Sequence, residues 1–355
     1  MRIMLLFDPA PPDLHWCRVI SDEYIKGICR LDSDWNEQLE KEIPDIDMVK
    51  IFASKLYHGG KNFNKTVTRF DPRSASQLDD CLGLLPEYNE ITRKIADYGL
   101  ERLPSAENII LCDTAFFSGI PEWISAYAVP LELRKIGICK YGSNGLGHQW
   151  ACRRTAELLG RDDLRIVSVF LGNNTNITAV KDGRVVETSS GFTPLEGVPS
   201  ATGCGQIDPT ILFQLYSAGF SFEEINHILT RESGFTGLRG SYCGFSDLLE
   251  RGNDPVIAEI REIYSYNVLK QIGAFISVMN GIDGIVFFCN VTIEAMDLIR
   301  DLVRALEPFG LRMIQDENVK TGKGLISADD SQISVVLLPY NRWRVMAEAV
   351  RDLKE

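Results

Sequence analysis

The sequence lacks an excess of positive charge: 37 Lys and Arg residues stand against 49 Asp and Glu, which gives a formal net charge of −12. No basic cluster offsets this balance, so neither nucleic acid nor an anionic membrane is an expected partner. No apolar run is long enough to span a bilayer. The apolar residues Met1–Phe7 stop at Asp8-Pro9, which predicts a first strand rather than a secretion signal.

Cysteine patterns typical of metal sites are also missing. The nine cysteines include no Cys-x-x-Cys pair and no spacing to histidine that suits zinc. Their count is odd and neighbours such as those of Cys112 and Cys289 are apolar, which indicates reduced, buried thiols. A cytoplasmic location is the resulting prediction.

What the chain does contain is alternating strand and helix patterns, which indicate layered α/β structure in about two domains. Asp182-Gly183 predicts a hairpin turn within residues 177–187, so an all-parallel sheet is not expected. Ser221 and Glu224 form a capping box, and Asp254-Pro255 begins a long helix. Six runs have strand-like composition: Met1–Phe7, Val49–Tyr57, Asn108–Cys112, Arg165–Gly172, Gly284–Cys289 and Gln332–Leu338.

Two segments are rich in glycine, proline and asparagine. Gly191-Phe-Thr-Pro-Leu-Glu-Gly197 suits neither a helix interior nor a strand interior. The apolar run that ends at Phe170 leads into Leu-Gly-Asn-Asn174. A buried strand that runs into such a loop exposes backbone N–H groups, which suit an anion such as phosphate. We therefore predict phosphate contacts at Gly172, Asn173 and Asn174.

Several motifs together resemble the acetate and propionate kinase family. They are Cys112-Asp-Thr-Ala-Phe116, Tyr127-Ala-Val-Pro-Leu-Glu-Leu133, Lys140-Tyr-Gly142, Gly191–Gly197 and Arg231-Glu-Ser-Gly-Phe-Thr-Gly237. The resemblance implies the two-domain actin-like ATPase fold of acetokinases, with mixed sheets flanked by helices and a cleft between the domains. It places one domain at residues 1–115, joined by a C-terminal helix at 343–355, and the other at residues 116–342. It also implies a homodimer that uses ATP and magnesium to phosphorylate a short carboxylic acid.

Some site residues of the family are retained. Asp113 matches the family's metal-associated carboxylate, and Pro194 matches the proline that lines the family's acyl pocket, where Tyr57 replaces a valine. Lys55 replaces an arginine, which keeps the charge but loses the bidentate fork. Each has a structural interpretation too: Asp113 as a helix or turn cap, Lys55 as a solvated side chain, and Asn173 as a turn stabiliser.

Other positions have lost charge or polarity. Asn144 stands where the family has its phosphoryl-stabilising histidine, and Phe170 replaces a second polar donor. Gly203 stands where the family has a transition-state arginine. Its neighbour Cys204 is interpreted either as a thiol that faces the cleft or as an inert buried cysteine. The family's second histidine is kept as His148, for which a structural role is predicted.

The nucleotide-binding motifs differ most. Asp8-Pro-Ala-Pro-Pro-Asp13 replaces Asn-x-Gly-Ser-Ser-Ser and is predicted to be a surface loop with few N–H donors. Residues 290–294 replace the glycine-rich adenosine loop, and residues 243–247 lack the family's aspartate and arginine. Arg342 aligns with the magnesium-associated glutamate. We therefore expect ATP and Mg²⁺ binding to be lost or altered.

Two functions from different classes follow. The first is a divergent phosphotransferase or acyl-phosphate-handling protein, with Asp113, Asn144 and Lys55 as catalytic residues and Asp113 as the metal ligand. Gly172, Asn173, Asn174 and Gly203 would contact the cofactor, and Tyr57, Pro194 and Cys204 would line the pocket. The alternative is a non-catalytic homodimer that acts as a binding or regulatory protein. In both cases ordinary ATP:acetate phosphoryl transfer is predicted to be absent or very weak.

Overall fold

The computed structural model describes residues 3–31, 34–43, 45–250, 254–289, 293–314 and 324–353. Chain contacts group them into two compact units. The first comprises the chain up to Ser118, residues Ser143–Leu146 and the chain from Asn341 onward. The second comprises Gly119–Gly142 and Gly147–Tyr340. The domain division predicted from the sequence stays a prediction.

The elements of the described residues alternate as predicted. The strands are β1 (Ile3–Ala10), β2 (Asp13–Ile20), β3 (Glu23–Arg30), β4 (Val49–Leu56), β5 (Val67–Arg69), β6 (Glu107–Cys112), β7 (Arg165–Phe170), β8 (Asn176–Lys181), β9 (Arg184–Thr188), β10 (Gly284–Cys289), β11 (Gly324–Leu325) and β12 (Ser334–Pro339). The helices are α1 (Trp35–Glu42), α2 (Pro72–Asp79), α3 (Pro86–Arg102), α4 (Glu122–Ser125), α5 (Leu131–Lys135), α6 (Gly145–Leu159), α7 (Thr210–Ser217), α8 (Phe222–Arg231), α9 (Gly234–Arg239), α10 (Phe245–Leu249), α11 (Pro255–Val278), α12 (Ile293–Ala305) and α13 (Arg342–Asp352).

The first unit contains a mixed sheet with the strand order β3-β2-β1-β4-β6-β5. β1, β4 and β6 are parallel neighbours, whereas β2, β3 and β5 are antiparallel to the strands beside them. The parallel strands are almost wholly buried, as expected of strands covered on both faces. The rings of Phe7 and Phe52 lie 4.7 Å apart in the core, which also includes Ile95 of α3.

The second unit contains a second mixed sheet with the order β11-β12-β10-β7-β8-β9. β7, β10 and β12 are parallel, and β8 and β9 form the predicted hairpin. Asp182 and Gly183 have φ values of 52° and 74°, so the turn uses the left-handed region as its sequence indicates. α11 buries Ile260, Tyr264 and Val268 at helical spacing against the core of this unit.

The predicted surface loop at Asp8–Asp13 is wrong. Asp8, Pro9 and Ala10 continue β1, and β2 starts at Asp13, so only Pro11-Pro12 forms the turn. Asp8 is 2% exposed. Proline is tolerated in this strand because β1 pairs with β4 only as far as Phe7. No hydrogen bond to β4 is therefore lost where Pro9 lacks a backbone N–H.

Helix starts agree with the capping signals. Ser221 accepts a hydrogen bond from the Glu224 N–H, and the Glu224 carboxylate accepts one from the Ser221 N–H, so the capping box is confirmed. Asp254 caps α11 through the Val256 N–H. All nine cysteines lie in the described residues and have free thiols. None of the helices in the described part of the chain has the length and apolarity that crossing a bilayer requires.

A buried asparagine fixes the turn after β4. The Asn89 amide nitrogen of α3 donates to the backbone oxygens of His58, Cys81 and Leu84 at 2.8, 2.8 and 2.6 Å. The turn after β4 and the turn at residues 81–84 therefore share one fully buried side chain. Its hydrogen bonds hold His58-Gly-Gly60 in place beside the end of β4.

We expect Asn89→Ala to lower the free energy of unfolding by about 2 to 4 kcal/mol, because buried carbonyls lose their donor. Urea denaturation followed by circular dichroism would measure this. Asn62→Ala is the matched control, since the Asn62 amide makes its two hydrogen bonds at an exposed position, and its effect should stay within about 0.5 kcal/mol. Equal effects of the two substitutions would contradict the role of Asn89.

Candidate functional site

The carboxyl ends of β4 and β6 place polar side chains at one edge of the first sheet. Lys55 is the next-to-last residue of β4, Tyr57 follows that strand, and Asp113 follows β6. The two strands are parallel neighbours, and the Asp113 N–H donates to the Leu56 carbonyl at 2.8 Å. Ligand sites in α/β sheets favour this edge. Three of the predicted site residues are thereby brought together.

Asp113 is buried, and its carboxylate accepts two backbone hydrogen bonds. The backbone N–H groups of Asn144 and Leu146 donate to its carboxylate at 2.7 and 3.3 Å, just where α6 begins. A carboxylate at a helix N-terminus is favourable because it satisfies unpaired N–H groups. Burial nevertheless raises the pKa of Asp113 above its usual value, against the opposing effect of the Lys55 ammonium. The side chain therefore acts at least as a helix cap.

Lys55 is a buried cation, contrary to its interpretation as a solvated side chain. The residue is 8% exposed, and its Nζ lies 3.8 Å from Asp113 Oδ2 and 4.1 Å from the centre of the Tyr57 ring. The first distance is too long for a hydrogen bond. Among the described residues no hydrogen-bond acceptor reaches the ammonium, whose three N–H groups each want one. Such a group is suited to binding an anion.

Tyr57 links this cation to a second ion pair. Its hydroxyl donates to Asp8 Oδ1 at 2.7 Å, and its ring packs on Tyr88 with the ring centres 4.6 Å apart. Burial, and next the nearby Asp8 carboxylate, raise the pKa of Tyr57 well above its usual value, so the hydroxyl stays a donor. Arg342 Nη1 lies 2.8 Å from Asp8 Oδ2.

Local structure explains how Arg342 comes to lie there. The side chain of Asn341 accepts hydrogen bonds from the Trp343 and Arg344 N–H groups, so α13 begins at Arg342. A cation is unfavourable at a helix N-terminus. The buried Asp8 carboxylate offsets this, since its charge faces the guanidinium directly.

Asn144 contributes its backbone more than its side chain. It has a φ of 53°, in the left-handed region that asparagine tolerates, and its N–H donates to Asp113. Its predicted catalytic role stays a prediction. The structure places it beside Asp113, and an amide there is neutral where the family has an ionisable histidine.

The predicted phosphate loop lies in the second unit, after β7. The N–H of Gly172 donates to Thr175 Oγ1 at 3.1 Å, within the loop itself. Asn173 Oδ1 accepts the Phe245 N–H at 2.7 Å at the start of α10, and its carbonyl accepts the Ala201 N–H. Asn174 is half-buried. The side-chain oxygen of Asn173 thus stabilises the loop, which was its structural interpretation.

Gly203, Cys204 and Pro194 are also in the second unit. The Gly203 N–H donates to Ser200 Oγ at 2.8 Å in a tight turn, and a Cβ at this position would lie 2.7 Å from that oxygen. Cys204 is half-buried, its Sγ contacts the Gly205 carbonyl at 3.2 Å, and burial raises its pKa. A raised pKa disfavours the thiolate, which is the reactive form. Pro194 is half-buried.

Two positions where the family has histidines take structural roles. Phe170 packs against Phe288 and Tyr340 with ring centres 5.2 and 5.4 Å apart, so it fills an aromatic cluster. His148 is fully buried and bonds to Ser168 Oγ at 2.8 Å and Asn176 Oδ1 at 2.5 Å. Of the segment at residues 290–294, positions 290–292 lie outside the described residues.

Sequence reasoning missed the pairing of Asp8 with Arg342. Each was seen as a departure from the family pattern, but their contact joins the first strand to the last helix across most of the chain. The sequence did contain a signal for this pair. Asp8 adds an acidic residue to one family motif, and Arg342 replaces the acidic residue of another. Two changes of opposite charge are typical of a new ion pair.

Comparisons with known proteins decide the family. A profile of the acetokinase family matches residues 23–348. The acetate kinase of Methanosarcina barkeri is 32% identical over 351 residues, which cover 97% of this chain and 84% of that protein. The acetate kinase of Thermosipho melanesiensis is 35% identical over 344 residues, which cover 94% of this chain and 83% of that protein. The chain belongs to the acetokinase family.

Solved structures agree on the fold. A propionate kinase from Francisella tularensis superposes with a TM-score of 0.88 at 23% identity, covering 98% of this chain and 99% of the other. An acetate kinase from Porphyromonas gingivalis gives 0.87 at 21% identity over the full length of both chains. The predicted acetokinase fold, with two mixed sheets flanked by helices, is therefore confirmed.

His148 should make the stability of this acetokinase-family protein depend on pH. Burial lowers its pKa from 6.5 to about 4 in the folded state. A lowered pKa means that folding favours the neutral imidazole. The contribution of His148 to the stability of the fold is therefore complete when the pH is above the pKa of the unfolded state. It is lost as the pH falls toward the pKa of the folded state. The free energy of unfolding should fall by about 1.4 kcal/mol per pH unit across this window from this residue alone.

Urea denaturation of the protein and of His148→Gln, from neutral pH down to about pH 4, tests this assignment. Glutamine can still bond Ser168 and Asn176 but does not titrate, so its stability should fall less steeply. The difference between the two curves isolates His148 from the carboxylates common to both proteins. Parallel curves would contradict it.

Proposed function

We propose that this acetokinase-family protein binds the anionic group of a short carboxylate or its acyl phosphate at Lys55, and that ordinary ATP:acetate phosphoryl transfer is absent or very weak. The observation that carries the proposal is the buried Lys55 ammonium, which no described acceptor reaches. A buried charge without hydrogen bonds is costly, and a bound anion would supply acceptors and charge together. The Asp113 carboxylate, 3.8 Å from the ammonium, is too distant to accept a hydrogen bond from it and only partly balances its charge.

We infer the loss of phosphoryl transfer from positions where the family's cationic or polar side chains are missing in this chain. Phosphoryl transfer relies on cations that stabilise charge on the moving group. Here Asn144 is neutral, Phe170 is apolar, and Gly203 has no side chain at the position of the family arginine. By analogy, one missing arginine of this kind costs about 10³ to 10⁵ in rate. Three such changes together favour a strongly altered reaction.

The alternative is a non-catalytic protein that uses the retained fold for binding or regulation. It is favoured by the Gly172 N–H, which bonds within its own loop, and by the Asn173 carboxamide oxygen, which stabilises that loop rather than awaiting a ligand. A cytoplasmic location, suggested by the free thiols and the absence of long apolar runs, stays a prediction in both cases.

Calorimetric titration with ATP–Mg²⁺ and then with acetyl phosphate separates these functions. We expect no ATP binding in the micromolar range and measurable binding of acetyl phosphate or acetate. No measurable binding of any of these ligands would contradict the proposed anion site and favour the non-catalytic alternative. Acetate kinase turnover that Asp113→Ala abolishes would contradict the proposed loss of activity.

Lys55→Met tests the residue that carries the proposal. Methionine keeps the length and packing but removes the ammonium, so acetyl phosphate affinity should fall by about 10- to 100-fold, the worth of one charged hydrogen bond. Lys50→Met, an exposed lysine on the same strand, is the control and should bind as the parent does. Lys55→Arg should keep most of the affinity. Unchanged binding by a folded Lys55→Met protein would exclude this site.

We further propose a homodimer, as the family resemblance implies, formed through an exposed apolar face on α7 and α8. α7 has no buried residue, and Phe213, Tyr216 and Phe222 are 69, 55 and 75% exposed. The rings of Tyr216 and Phe222 stack with centres 4.9 Å apart, so they form one surface. Contiguous apolar surface of this kind is typical of interfaces.

Light scattering coupled to size-exclusion chromatography should therefore report a dimer, and Phe213→Asp with Phe222→Asp should convert it to a monomer. Phe309→Asp, at another exposed phenylalanine in the second unit, should leave the dimer intact. A parent protein that is monomeric at micromolar concentration would contradict the proposed interface.

A further inference from the structure

The acidic groups of the first unit do not fit the magnesium ion that the family resemblance implies. Mg²⁺ requires about six oxygen ligands in near-octahedral geometry at about 2.0–2.1 Å, and in proteins it takes one or two of them from carboxylates. Asp113 is the predicted ligand. Its Oδ2 already accepts the Asn144 N–H at 2.7 Å and faces the Lys55 ammonium, and its Oδ1 accepts the Leu146 N–H at 3.3 Å.

The second buried carboxylate is equally occupied. Asp8 Oδ1 accepts the Tyr57 hydroxyl and Asp8 Oδ2 pairs with Arg342, at 2.7 and 2.8 Å. Within the described residues, no group of three acidic, histidine or cysteine side chains is placed to hold a metal ion. Each carboxylate therefore already has a cation beside it, and a divalent ion would have to displace donors from both while facing two like charges.

The two cations are connected through one tyrosine. Lys55 lies over the Tyr57 ring, and the Tyr57 hydroxyl bonds the same carboxylate that pairs with Arg342. Asp8 is held on both oxygens, so it fixes the direction of the guanidinium. Arg342 uses one nitrogen on Asp8, and its side chain is 36% exposed, so its further N–H groups are accessible to a ligand.

We propose that Arg342 and Lys55 replace the metal ion, so that this site binds its anion directly and without a divalent cation. The proposal rests on the anion binding proposed above and adds to it a second binding residue and the absence of a metal requirement. A guanidinium suits an acyl phosphate or carboxylate because its planar N–H groups can bond two oxygens at once. Asp8 and Tyr57 are positioning residues, since they orient Arg342 and need not touch the anion.

Two titrations test the proposal on the full chain. Mn²⁺, as a paramagnetic stand-in for Mg²⁺, is titrated by electron paramagnetic resonance, and we expect no stoichiometric binding at millimolar concentrations. Acetyl phosphate is titrated by calorimetry in EDTA and again in magnesium chloride, and we expect dissociation constants within about twofold of each other. Stoichiometric Mn²⁺ binding that Asp113→Asn removes, or anion binding that disappears in EDTA, would overturn the proposal.

Variants of Arg342 test its part separately. Arg342→Met should weaken acetyl phosphate binding by about tenfold or more, whereas Arg344→Met, on the same helix but paired with Glu348, should not change it. Because Arg342→Met leaves the buried Asp8 carboxylate without its cation, the double variant Asp8→Asn with Arg342→Met removes both charges and should show the same weakening in a stable fold. Parent-like affinity of the double variant would overturn the role of Arg342.

The outcomes also separate this proposal from the proposed function. Anion binding that depends on magnesium would leave the Lys55 site standing and refute only the metal-free arrangement. Absence of anion binding in both buffers would refute both. A charge-restored variant, Asp8→Asn with Arg342→Glu, removes the internal cation and adds a carboxylate, so we expect it to gain Mn²⁺ binding that the parent lacks.

Discussion

The need to pair buried charge governs the first unit. Asp8, Lys55 and Asp113 are each less than a tenth exposed, and Arg342 is half-buried beside them. An isolated buried charge is costly, so each of these groups must find an opposite charge or several hydrogen bonds. The arrangement of β1, β4, β6 and α13 places them so that Asp8 pairs with Arg342 while Asp113 faces Lys55 and caps α6. Of these four groups, the Lys55 ammonium is the one that no hydrogen-bond acceptor of the described residues reaches.

The fold around this charge balance is that of the acetokinase family. The overall fold is retained at a TM-score of 0.88 with a propionate kinase, although only 23% of residues are identical. Fold retention depends on apolar strands and helix caps, and these are intact. Chemistry depends on a few charged groups, and here a buried carboxylate, Asp8, pairs with the guanidinium of Arg342. Under the metal-free arrangement proposed above, the cations of Lys55 and Arg342 take the place of a bound metal ion.

Much of the fold could be predicted from local patterns. The strands from Val49, Arg165 and Gly284, the Asp182-Gly183 hairpin and the Ser221 cap all appear where period, turn chemistry or capping indicates them. The prediction of a surface loop at Asp8–Asp13 was wrong because three prolines and two aspartates within six residues outweigh any strand pattern in the local sequence. The structure accommodates them since Pro9 lies beyond the end of pairing with β4 and Asp8 has partners that are distant in sequence.

The sequence by itself determined the family, the α/β character, the free cysteines and the list of residues that differ from an acetate kinase. These depend on residue identity and on spacing within short segments. Only the tertiary structure decided that Lys55 is buried, that Asp113 caps α6 and that Arg342 lies against Asp8. Those facts join residues from the first strand, the middle of the chain and the last helix. Whether a charge is solvated, paired or available to a ligand depends on that assembly, and no local pattern specifies it.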